Sequence, residues 1–174
     1  KNGACLALLL ALACCSCATA QESSDFRQLN FQLLAAARAG DAAAVERLVH
    51  AGASVRTRNR FGATPLLEAA RGGHTAVVRT LLAADADVNQ ANLEQATPAL
   101  ETARNGHLET ARVLIQGGAD VNRVDLQLLS PLMHAVYGGH TPLVKLLIEH
   151  GAQVDLVDRT GKSALLYGDR KSVV

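Results

Sequence analysis

Thr64, Thr97, Ser130 and Ser163 stand 33 residues apart, and their surroundings repeat with them. Pro65, Pro98 and Pro131 follow the hydroxyl residues. Gly73-His74, Gly106-His107 and Gly139-His140 keep the same interval, as do the segments at 86–89, 119–122 and 152–155. A fixed period of this length restricts the chain to stacked-repeat architectures, in which each unit buries its apolar face only against its neighbours. Such a fold offers a long ridged surface for gripping another macromolecule and seldom a closed pocket for chemistry.

A single repeat can be read from Ala63 to Ala96. Thr64 stands where an N-cap belongs, and Pro65 takes the first helical position, where a missing N–H costs nothing. Leu66, Leu67, Ala69 and Ala70 make a short helix whose small residues allow a close neighbour, and Gly72-Gly73 ends it. His74 opens a second helix with Val77, Val78, Leu81 and Leu82 on one stripe. A polar stretch then leads to the next Thr. Two further copies follow from Thr97 and Ser130. A degenerate first copy aligns from Phe31 through Gly52-Ala53, with Gln32 in place of Pro and Asp41 in place of His. Aromatics are only 3% of the chain, against 49% apolar residues, so the core must be Ala, Leu and Val. That composition suits thin, closely stacked helices.

Thr-Pro-Leu, Ala-Ala, Gly-His, Leu-Leu and Gly-Ala-Asp-Val-Asn elements, in this order, resemble the ankyrin repeat over about Phe31–Tyr167. The resemblance implies an α-solenoid: stacked helix-turn-helix units with short β-hairpin fingers, in an ankyrin-repeat domain over 31–168 of about four repeats plus the start of a fifth. The family's Thr-Pro-Leu-His motif has lost its His, with Leu67, Leu100, Met133 and Leu166 in that place. Apolar contact is expected to substitute there.

The first twenty residues differ from the rest. Lys1, an apolar run from Ala4 to Cys15, and Ala18-Thr19-Ala20 describe a signal peptide cut after Ala20. The run is shorter than the roughly 20 residues a spanning helix needs. Residues 21–30 then form a short lead-in. All four cysteines lie in the first segment, so a chain cut there carries no thiol. A lipoprotein signal is the rival reading, with Cys14, Cys15 or Cys17 as the lipidated residue; soluble export has the better cleavage site. At the other end, residues 169–174 break the repeat pattern and match the in-frame translation of a common sequencing adapter. They are expected to be a non-native tail on a chain that naturally continues.

Several features imitate chemistry. His74, His107 and His140 recur at a fixed interval, but stacked helices about 8–10 Å apart keep successive rungs too far apart for one zinc ion, which needs ligands at about 2.1 Å. Bonding to backbone between repeats is the expectation, and His50, His134 and His150 read as surface or packing residues. Gly161-Lys162-Ser163 lacks the upstream Gly of a phosphate loop, since Leu156 stands there. Arg56, Arg58 and Arg60 read as a solvated finger. Charge is almost balanced, at a formal +1, so nothing global attracts nucleic acid. Asp87, Asp120 and Asp155 fall at turns, where Asp commonly braces the backbone. No cofactor or metal site is expected.

Family binding surfaces combine the fingers with the exposed end of the first helix. Carried over by register, the finger positions are Arg58, Arg60 and Phe61; Ala91, Leu93 and Glu94; Val124, Leu126 and Gln127; and Val157, Arg159 and Thr160. The helix-end positions are Arg71, Arg104, Asn105 and Tyr137. Phe61, Leu93 and Leu126 put apolar groups on successive fingers with polar residues around them, the usual arrangement of a protein interface. The expected function is non-catalytic: a module exported to a bacterial periplasm that binds a protein through its fingers and inner-helix groove. Nucleic acid and small-molecule substrates are not expected as partners, and a membrane only through lipidation. The alternatives are a substrate-recruiting module of a larger enzyme, or a hydrolase using groove carboxylates.

Overall fold

A computed structural model of the chain describes residues 26–169. The expected signal, residues 21–25 of the lead-in and residues 170–174 of the expected tail lie outside them. Helices alternate with loops throughout. The first, α1, covers 26–39. It is followed by α2 (Ala42–His50), α3 (Pro65–Arg71), α4 (Thr75–Ala83), α5 (Pro98–Asn105), α6 (Leu108–Gln116), α7 (Pro131–Gly138), α8 (Thr141–Glu149) and α9 (Ala164–Asp169). None of the described helices is long and apolar enough to cross a membrane.

The repeated hydroxyl sets where each first helix begins. Thr64 Oγ1 accepts from the Leu67 N–H at 3.3 Å, Thr97 from Leu100 at 3.3 Å, and Ser130 from Met133 at 3.2 Å. Each bond satisfies a donor that the first turn would otherwise orphan, and is worth about 1 kcal/mol. The proline at the next position locks the entry angle. Leu67, Leu100 and Met133, which replace the family's His, are at most 1% exposed. Apolar burial takes that position over in these three repeats, but not in the last, where Leu166 is 55% exposed at the end of the stack.

The helices stack in two rows. In one, α3 packs on α5, α5 on α7 and α7 on α9; in the other, α2, α4, α6 and α8 follow one another. Leu66, Leu67, Ala69, Ala70, Val77, Val78 and Leu81 are fully buried between the rows. Each buried Leu or Val contributes about 1.5–3 kcal/mol. Alanines facing the neighbouring helix allow this close approach. At the last described repeat, Val144, Ile148, Leu165 and Leu166 line an apolar cleft of about 650 Å³.

Two expectations change in detail. Residues 26–30 of the lead-in are not separate from the repeats: they are the first turns of α1. Leu29 packs on the core, and Asn30 Oδ1 accepts from the Ser54 N–H at 2.7 Å. Phe31 aligns with the N-cap positions, but it has no hydroxyl to end a turn, so α1 runs straight through it. The fingers, expected as short hairpins, are reverse turns with no strand ladder among the described residues. A single isolated bridge, Val157–Ser163, marks the last of them.

Candidate functional site

One side chain per repeat closes each finger. Asn59 Oδ1 accepts from the N–H groups of Phe61 and Ala63, at 2.9 and 3.0 Å. Asn92 does the same for Glu94 and Ala96, Asp125 for Gln127 and Leu129, and Asp158 for Thr160 and Lys162. A short side chain accepting from its own loop two and four residues ahead fixes the turn without a partner strand. The Tyr167 hydroxyl donates to the other oxygen of Asp158. With the Lys162 N–H, it holds that carboxyl well below the usual carboxylate range.

The fingers are also tied sideways, tip to tip. The Leu93 N–H donates to Phe61 O at 3.1 Å, Leu126 to Glu94 O at 3.3 Å, and Arg159 to Gln127 O at 3.2 Å. Phe61, Leu93 and Leu126 therefore sit on one backbone-linked crest, exposed by 57%, 69% and 44%. Leu128, which sequence reasoning did not single out, adds a fourth apolar group at 45% exposure. Exposed single leucines are ordinary, but large exposed apolar groups on three successive, backbone-linked fingers call for an explanation. Arg58, Arg60, Glu94 and Arg159 are exposed around it.

Beneath the crest, the first-row helices carry a chain of ion pairs. Arg71 Nε and Nη2 donate to the two carboxylate oxygens of Glu101, both at 3.2 Å. Arg71 also lies 3.9 Å from Glu68, which accepts from Asn59 Nδ2 at 2.9 Å. Arg104 bridges Glu101 and Asp125, each at 3.6 Å, and Asp125 Oδ2 meets His134 Nε2 at 2.9 Å. The bond to Glu101 raises the pKa of Arg71 above its ordinary value. Burial lowers that of His134, against the opposing pull of Asp125.

Arg71 and Arg104 were expected at the binding surface. They stand at the groove floor with side chains 43% and 40% exposed, already committed to Glu101. They can present one edge to a ligand while the other holds the stack together. Tyr137 is 69% exposed, its ring edge-on to Tyr167 at 6.0 Å. Glu101, Asp125 and His134 were missed as a set. Asp125 had a signal, since Asn59, Asn92, Asp125 and Asp158 share the repeat interval, but a mixed Asn/Asp column is easily read as loop polarity; Glu101 and His134 fall in a separate column with Glu68.

The recurring histidines bridge repeats as expected. Nε2 of His74 lies 3.1 Å from Arg38 O, that of His107 3.0 Å from Arg71 O, and that of His140 3.4 Å from Arg104 O. Each ring lies over the glycine that ends an earlier first helix. A Cβ on Gly73 would fall 2.6 Å from His107 Nδ1, and one on Gly106 2.6 Å from His140 Cε1. Asp87 and Asp120 brace their turns through the N–H groups of Asn89 and Asn122. Those asparagines then join repeats: Asn89 bonds Gly118 O and the Asp120 N–H, and Asn122 bonds Gly151 O and the Gln153 N–H.

Paired helices in two rows, side-chain-closed fingers and an open groove define a helical-repeat protein that presents one ridged face. Family models agree: one described as ankyrin repeats in three copies matches residues 33–125, and one described as ankyrin repeats in many copies matches 114–167. The chain belongs to the ankyrin-repeat family. Repeats of this family generally mediate protein–protein interaction and are typically non-catalytic. A search of the curated proteins finds no match.

Proposed function

We propose that this chain is a non-catalytic module that holds a protein partner in the groove between its finger crest and its first-row helices. The observation that carries this reading is the crest itself. Phe61, Leu93 and Leu126 are large, exposed and linked by backbone hydrogen bonds that hold successive fingers together. An apolar centre already ordered in the free protein loses little entropy when a partner covers it. Arg58, Arg60, Glu94 and Arg159 supply the polar rim, and Arg71, Arg104 and Tyr137 the floor.

The test is the double substitution Leu93→Asp with Leu126→Asp. Both side chains point to solvent, so the melting transition should stay nearly unchanged while affinity for the partner falls by at least tenfold. Undiminished capture by the double variant would remove the crest from the interface.

We further propose export to a bacterial periplasm. The support is the sequence of the first twenty residues, Lys1 with the apolar run to Cys15 and the Ala18-Thr19-Ala20 exit. The intact mass of the mature protein tests it: an N-terminus at Gln21 supports soluble export, and a diacylglyceryl cysteine supports the lipid-anchored form instead.

A further inference from the structure

We infer that the groove has a specialised N-terminal end, a basic aromatic cleft that accepts an acidic peptide segment carrying apolar side chains. The inference rests on the groove-binding reading above and adds the partner's chemistry to it. Between α1 and the first finger lies a cleft of about 910 Å³. Arg27 and Arg38 border it from α1, Arg58 and Arg60 from the finger, and Phe31 and Phe61 form apolar walls.

Three observations together carry the inference. None of its four arginines has an acidic partner within ion-pair distance among the described residues, whereas Arg71 and Arg104 are tied to Glu101 and Asp125. Its one acid, Glu68, is already bonded to Asn59. The aromatic residues are also exposed without a folding reason. The chain has only three phenylalanines, and two of them stand here, Phe31 at 73% and Phe61 at 57% exposure. Phe31 stands where the other repeats place a capping hydroxyl, so the repeat itself does not require it. Finally, the Arg60 guanidinium lies 4.6 Å from the centroid of the Phe61 ring. Such a contact steadies the cation against the ring without using up its hydrogen-bond donors.

Guanidinium groups spaced around an apolar floor suit carboxylates alternating with apolar side chains, through bidentate charge-assisted bonds. A nucleic-acid strand also uses arginines and aromatics, but it needs positive charge along its whole track. Here the next finger presents Leu93 and Glu94, so the basic surface ends after one repeat. A peptide can turn from charged to apolar over that distance, following the crest toward Leu93; a phosphate backbone cannot.

The experiment is fluorescence anisotropy with a short labelled peptide alternating Glu and Leu. The same peptide with Lys for Glu and a single-stranded RNA of similar length serve as comparisons. The full chain should bind the Glu peptide and not the Lys peptide. Arg58→Ala with Arg60→Ala should weaken that binding at least about fivefold, at an unchanged melting temperature, and Phe31→Ala should weaken it independently. Absence of Glu-peptide binding, equal binding of the Lys peptide, tighter binding of the RNA, or an unaffected arginine variant would each overturn the inference. The crest variant separates the two proposals. If Leu93→Asp with Leu126→Asp loses the natural partner while the arginine variant keeps it, the groove function stands and the acidic specificity falls.

Discussion

Arg71 in α3 and Glu101 in α5 form a two-pronged ion pair across adjacent repeats, with both contacts at 3.2 Å and the carboxylate only 2% exposed. A carboxylate so deeply buried depends on its partners, and its second one, Arg104, stands at 3.6 Å. Arg71→Ala should cost about 1–2 kcal/mol, since half-exposed arginine is partly solvated but the acid it leaves is not. Urea unfolding of Arg71→Ala, Glu101→Gln and the double variant gives the coupling directly, expected at about 1 kcal/mol or more.

Leu128 occupies the left-handed backbone region, at φ 62°, where the same position of other fingers has Gly62 at 76°, Gln95 at 60° and Gly161 at 75°. This conformation costs an ordinary L-residue about 1–2 kcal/mol, and the Leu128 side chain, 45% exposed, offsets only part of that through burial. Leu128→Gly should therefore stabilise the protein by about 0.5–1 kcal/mol after the entropy cost of glycine. An upward shift of the urea midpoint without a change of slope is the expected result.

Gly106 and Gly118 both need positive φ, at 76° and 87°, but their surroundings differ. A Cβ at 106 would strike the His140 ring, whereas nothing lies within 4 Å of one at 118. Gly118→Ala should show only the backbone cost of about 1 kcal/mol. Gly106→Ala should cost measurably more, because the ring must leave Arg104 O. The difference between the two, read from chemical denaturation, isolates the inter-repeat histidine contact.

His134 faces Asp125 and Arg104, with Glu101 nearby, and its pKa is held below the ordinary 6.5 chiefly by burial. The unfolded chain then takes up the proton more readily than the folded one. The linked stability is fully present above about pH 6.5 and declines as pH falls through the folded-state pKa. His134→Gln retains a donor for Asp125 but cannot titrate, so it should flatten this part of the stability–pH curve. Denaturation midpoints taken between neutral and mildly acidic pH for both proteins check the sign.

Much of the fold was legible because the repeat writes the same local instruction several times. Thr64, Thr97 and Ser130 specify helix starts through residues three positions away, and His74, His107 and His140 recur with the glycines they cover. The polar network was less legible. Arg71 meets Glu101 only because two helices stack, and a separation of 30 residues carries no local signal. The finger closures at Asn59, Asn92, Asp125 and Asp158 do repeat, yet they alternate between amide and carboxylate because one acceptor oxygen suffices. The role of Phe31 depended on α1 running past the expected boundary, a consequence of the missing capping hydroxyl. As for the site, Phe61, Leu93 and Leu126 fell where register placed them. The commitment of Arg71 and Arg104 to Glu101, and the exposure of Leu128, required the packed structure.

The most direct test of the groove reading is site-specific photocrosslinking in the native compartment. A photoreactive residue at Leu93 or Leu126, on the crest, is compared with one at Arg79 on the exposed side of α4. The account predicts a shared crosslinked protein product from both crest positions and none from Arg79. Crosslinks to that same partner from Arg79, with none from the crest, would contradict it.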